Sequence, residues 1–137
     1  MSEFLEISSA LDAHLNGMAS LPPVAWENKD YPPVNDTLYL RPFIMPGDTV
    51  GSAIGAAGND EHVGIYQIDV LAAIGEGKKA AIVMADLIAD RFKPVTQLTS
   101  GTTTVKCVTA SRAPAYRDKG RYVIPVTVRY LSLTAKR

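Results

Sequence analysis

The residue types that could do chemistry are few in this sequence, and they are scattered. Nucleophilic catalysis needs a serine, threonine or cysteine, a base to accept its proton and a third group to orient that base. The 137-residue chain has two histidines, His14 and His62, and one cysteine, Cys107. His14 falls on the flank of a predicted helix, His62 closes a glycine-rich stretch, and no Gly-x-Ser-x-Gly elbow is present. Cys107 alternates with Val105 and Thr109 in an extended run and reads as a small hydrophobe. The densest set of possible metal ligands is Asn59-Asp60-Glu61-His62. It lacks the periodic oxygen donors of an EF-hand and the paired histidines of a zinc-hydrolase helix. The run Gly51 to Gly58 has the wrong glycine spacing for a dinucleotide fingerprint and precedes a strand. Gly75-Glu76-Gly77-Lys78-Lys79 opens a helix without the upstream glycine, or the serine or threonine, of a phosphate loop. The expectation is a protein with no catalytic, cofactor-binding or metal-binding residues.

Such a chain must act through its surface, so the elements that shape the surface carry the argument. At 137 residues it has the size of one domain, 1–137. An apolar fraction of 47% with 20% charged residues suffices for a core without disulfides or metal. A single cysteine excludes an internal disulfide and fits a reducing compartment. Fourteen basic residues balance fourteen acidic ones, so no overall field recruits nucleic acid or an anionic membrane. The basic residues near the end, Arg112, Arg117, Lys119, Arg121, Arg129, Lys136 and Arg137, read as a solvated face. Met1 to Glu6 carries two acids and no basic n-region, so no secretory signal is expected. No apolar run reaches the length of a membrane span.

Phe4, Ile7, Leu11 and Leu15 form an amphipathic stripe over Ser2 to Asn16, and Ala81, Met84, Leu87, Ile88 and Phe92 form a second over Lys78 to Phe92. Extended runs are predicted at Val24–Asn28, Thr37–Met45, Val63–Leu71, Thr102–Thr109 and Arg121–Leu133. Pro42 argues for an edge position or a bulge. In the last run Tyr122, Ile124, Val126, Val128 and Tyr130 occupy every second position, the most regular alternation in the chain. Pro46 to His62 has no period and reads as a long Gly-rich loop. The fold expected is α+β, a mainly antiparallel mixed sheet of about five strands with two helices packed on one face.

Several strings together resemble a known family: Leu21-Pro22-Pro23-Val24-Ala25-Trp26-Glu27-Asn28, Tyr39-Leu40-Arg41, Gly64-Ile65-Tyr66-Gln67-Ile68-Asp69-Val70, Gly75-Glu76-Gly77 and Val123-Ile124-Pro125-Val126. The chain is similar to the tail-terminator-like proteins of long-tailed bacteriophages and prophages, of the lambda-type terminator fold. The resemblance implies a subunit that joins copies of itself, as a hexamer, into a ring on the end of the tail tube. That ring would stop polymerisation of the major tail-tube protein and offer a surface to the head through connector or neck proteins. It implies a virion tail component assembled in the host bacterial cytoplasm, and no catalytic signature.

On this reading the candidate subunit or tube interface is the 46–62 stretch, with Asp48, Gly51, Gly55, Gly58, Asp60, Glu61 and His62, together with exposed sheet edges. Asp48, Asp60 and Glu61 are the candidate partners for arginines of a neighbour, against the plainer reading of each as solvent-exposed charge. The alternatives are another head-tail joining protein (neck or tail-completion), a small enzyme using His62 and Asp69, and a host-directed binding module.

Overall fold

The computed structural model describes residues 3–30, 37–51, 59–73, 75, 77–101 and 103–135. Their order is α1 (Glu3–Asn16), β1 (Tyr39–Gly51), β2 (Asn59–Ala73), α2 (Lys79–Arg91), β3 (Gln97–Ser100), β4 (Thr103–Arg112), β5 (Tyr116–Asp118) and β6 (Arg121–Ala135). The strands form one six-stranded antiparallel sheet in the order β1-β2-β6-β4-β3, with β5 pairing the start of β6. This is the expected α+β architecture. The Val24–Asn28 run supplies one isolated bridge, Val24 to Leu40, where a strand was expected.

The stretch 46–62 differs from the loop expected of it. Pro46 to Gly51 continues β1 and Asn59 to His62 begins β2, while 52–58 lie outside the described residues. The polar, glycine-rich composition hides a ladder because pairing uses backbone groups. Asn59 to His62 is carried by β6, opposite Ala135 to Ser132, whatever its side chains.

The three prolines of the described strands, Pro42, Pro46 and Pro125, sit where a donor is not needed. Leu40 bonds outward, from its N–H to the Pro23 carbonyl and from its carbonyl to the Ala25 N–H, so alternate β1 residues face the open side. Pro42 and Pro46 therefore offer no donor there, and the Ile44 N–H donates to Glu27 Oε1 at 3.1 Å. The β1 edge is closed to further strands along this length. Pro125 faces the break between β4 and β5, where its carbonyl accepts the Ala113 N–H.

The helices cover one face. Ile7, Leu11 and Leu15 of α1 and Ala81, Ala85, Ile88 and Phe92 of the α2 segment pack onto Tyr66, Ile68, Val70, Val105, Cys107, Val126 and Val128. Two predicted stripe residues are instead exposed, Phe4 in the first turn of α1 and Leu87 at 47%. At ~100° per residue, Leu87 lies roughly 130° from the centre of the 81–85–88–92 stripe, whereas Ala85 lies within it. His14 locks the helices together. Its Nε2 lies 2.7 Å from the Arg91 carbonyl oxygen, Arg91 Nε donates to the His14 carbonyl at 3.0 Å, and the imidazole stands edge-on to Phe92.

Beneath α1 the Tyr66 hydroxyl donates to Asp12 Oδ1 at 2.5 Å. Burial raises the Asp12 carboxyl above its ordinary value, the Tyr66 bond opposes this, and Glu27 adds to it. A raised folded-state value means that Asp12 favours the fold below about 3.8, its unfolded value, and that this contribution is lost as pH rises through the folded value. Asp12→Asn, whose side-chain oxygen still accepts from Tyr66, should therefore leave stability at pH 7 equal or higher. Asp12→Ala strands the tyrosine hydroxyl and should cost about 1–3 kcal/mol. Urea denaturation of both variants at pH 4 and pH 7 checks the sign.

Candidate functional site

Because the side-chain period of a strand is two, residues opposite the helices form a second surface that no element of the described chain covers along its whole length. The register gives its rows: Tyr39, Leu71, Val123 and Tyr116; then Arg41, Asp69 and Pro125; then Phe43, Gln67, Thr127 and Ser111; then Met45, Ile65, Arg129 and Thr109; then Val63, Leu131 and Lys106.

At one end this face is closed. Tyr39, Leu71 and Val123 are buried with Ala25 packed against them, and the Arg121 guanidinium lies 5.1 Å from the Tyr39 ring centre. Beside them Asp69 is 2% exposed. It accepts from Arg41 Nη2 at 2.8 Å, from Arg41 Nε at 3.3 Å and from Gln67 Nε2 at 2.8 Å. Asp69 is thus saturated by a fork and an amide, and its distance along the strand from His62 leaves no acid–base pair between them.

At the other end the face is open and apolar. A concavity of about 560 Å³ is lined by Met45, Val63, Ile65 and Leu131, with Arg129 and Glu61 at its borders. Met45, Val63 and the neighbouring Leu133 and Val108 are exposed although large and apolar. An antiparallel sheet with one solvated face ordinarily alternates apolar and polar residues, so apolar residues on both faces mark a surface used for contact.

The residues singled out from the sequence fall at the far end of the β1–β2 hairpin. Asp48 lies within the register irregularity between Pro46 and Thr49, Gly51 pairs with Asp60, Glu61 pairs with Val50 and Leu133, and His62 pairs with Thr49 and Ser132. Gly55 and Gly58 lie outside the described residues. Among the described residues of the set, Glu61 borders the concavity. Met45, Val63, Ile65, Leu131 and Arg129 were not singled out from the sequence. The signal was present in Val63, Ile65 and Leu131, apolar residues at the positions where the alternation of β2 and β6 leads to water.

Cys107 is fully buried, and burial pushes its thiol up to about 11, which removes it as a nucleophile near neutrality. Among the described residues no three His, Cys, Asp or Glu side chains gather to hold a metal ion, and no helix is long and apolar enough to cross a membrane.

No curated protein sequence matches the chain. Solved structures do match it, among them one with a TM-score of 0.75 over 96% of both chains at 23% identity, a likeness that shows the fold. The model of a protein family, described as phage tail terminator protein, matches residues 6–130. That span runs from α1 into β6 and takes in the helix layer, the Arg41–Asp69 pair and the apolar concavity up to Tyr130, so the chain belongs to the phage tail terminator protein family.

Proposed function

We propose that this protein caps the phage tail tube as a ring of identical subunits, ending tube polymerisation and presenting the surface to which the head is joined. Family membership gives the chain a structural role in the phage tail. The observation that carries the finer reading is the asymmetry of the sheet: helices on one face, and on the other an exposed apolar concavity beside an extended hairpin. A subunit with two unlike faces makes head-to-tail contacts, which close into a ring when the rotation fits. The β1 edge, blocked from Leu40 to Pro46, keeps such subunits from running on through strand pairing there.

The test is to mix purified protein with tail tubes and image their ends by electron microscopy. Tubes should carry a terminal ring and cease to lengthen when tube protein is added. Deleting Gly51 to Gly58 should spare the fold, because Val50 opposite Glu61 leaves Asn59-Asp60 as a two-residue hairpin connection. It should abolish capping. Continued growth of wild-type-treated tubes, or normal capping by the deletion variant, refutes the respective statement. Bare tubes beside rings on purified heads would favour the neck-protein reading.

A further inference from the structure

The outer face of α2 and the bare face of the sheet carry matching sequences of charge and apolar surface. On α2, Lys79, Val83, Leu87 and Asp90 are all exposed and fall along one side of the helix, opposite its buried stripe. The order along that side is cation, two large apolar residues, anion. Asp86, on the same side, is already paired with Arg112 of β4. Along the concavity the order is reversed in sign: first the row of Glu61, then the row of Val63 and Leu131, then the row in which Met45, Ile65 and the cation Arg129 stand side by side. The lengths agree. Lys79 to Asp90 spans ~16 Å of helix at ~1.5 Å per residue, and the row of Glu61 lies ~13 Å from the row of Arg129 at ~3.3 Å per strand residue.

We propose that α2 of one copy seats in the sheet-face concavity of the next, with Val83 on Val63 and Leu131, Leu87 on Ile65 and Met45, Asp90 facing Arg129 and Lys79 facing Glu61. The occupant is a second copy because the complementary surface is present on the same chain, in apolar character, in charge order and in length. The contact is heterologous, using two different faces, so every subunit both gives and receives one. It rests on the ring reading above and supplies that ring with its subunit contact. Apolar burial provides the attraction, and the two charge pairs fix the direction in which the helix lies.

The test uses the full chain with Val83→Cys in one preparation and Val63→Cys in another, both at exposed positions, mixed and treated with a short bismaleimide in solution and on tail tubes. A crosslinked dimer is expected from the mixture and from neither preparation alone. Asp90→Arg or Arg129→Glu, introduced into both preparations, should lower the dimer yield about tenfold, roughly the effect of 1.4 kcal/mol. Combining both reversals in each chain should restore it. Circular dichroism verifies that all variants are folded. Equal yields from the single reversals, or no rescue by the double reversal, overturn the contact. So does crosslinking of Val63→Cys to the tube protein in place of a second copy. If tubes are capped and no crosslink forms, the contact falls and the capping reading stands. If the crosslink forms and obeys the charge reversals while tubes remain uncapped, the contact stands and the capping reading falls.

Discussion

Gly101→Ala should destabilise the fold by about 2–4 kcal/mol, a fall in melting temperature of roughly 10 °C for a chain of this size. Two costs combine. Gly101 has φ +59°, a conformation that costs an alanine about 1 kcal/mol. A β-carbon there would also collide with the Glu6 carboxylate, which is buried and accepts a hydrogen bond from the Thr103 hydroxyl at 2.7 Å. Displacing it leaves the buried Thr103 hydroxyl without its partner. Gly120 separates the two costs, because it too has positive φ (78°) and meets no atom within 4 Å at its β-carbon position. Gly120→Ala should lose only the conformational part, about 1 kcal/mol. In the Gly101→Ala, Glu6→Ala double variant the collision is gone, so its loss should be smaller than the sum of the two single losses. Thermal denaturation of the four proteins gives all of these values, and equal losses at Gly101 and Gly120 would remove Glu6 from the account.

The parts of this architecture legible in the sequence were those in which one face alone decides a residue's type. Tyr122 to Tyr130 alternates because the even residues over that stretch of β6 meet the helix layer, and the same holds for Tyr66, Ile68 and Val70 of β2. The α1 stripe was readable for the same reason at Ile7, Leu11 and Leu15, and failed at Phe4, which is 44% exposed in the first turn. Three features were not legible. β3 is the short run Gln97-Leu98-Thr99-Ser100, with a single buried residue, too little to set a period. The ends of β1 and β2 at Thr49–Gly51 and Asn59–His62 are held through the backbone. Leu87 counted as core because any leucine near a helical stripe does, and its exposure becomes informative only once the buried line is known to run through Ala85. The candidate surface was half legible. Glu61 was singled out from its loop-like context, whereas the apolar residues beside it looked like ordinary strand residues until the register showed which face they occupy.

The second large effect is expected at the closed end of the bare face. Arg41→Ala should cost about 3 kcal/mol or more, because Asp69 is almost fully buried and would keep only the Gln67 amide as partner for its charge. The reverse change should cost far less. In Asp69→Asn the amide oxygen still accepts from Gln67 or Arg41, and Arg41, whose side chain is 40% exposed, is solvated without its partner. The cost therefore belongs to the stranded carboxylate and not to the lost attraction, and adding Asp69→Asn to Arg41→Ala should recover most of the stability. Urea denaturation of the three variants decides it, and equal losses in the two single variants would assign the effect to the pair as a whole. The Arg41–Asp69 row is two rows removed from the row of Arg129 along β2, so these changes should leave the charge-reversal behaviour of Asp90 and Arg129 unaltered at temperatures where the variants remain folded. The sheet face would then divide into two working parts: an end whose buried charge is held by a fork and whose loss lowers the stability of the chain, and an end whose exposed charges change only what the folded chain binds.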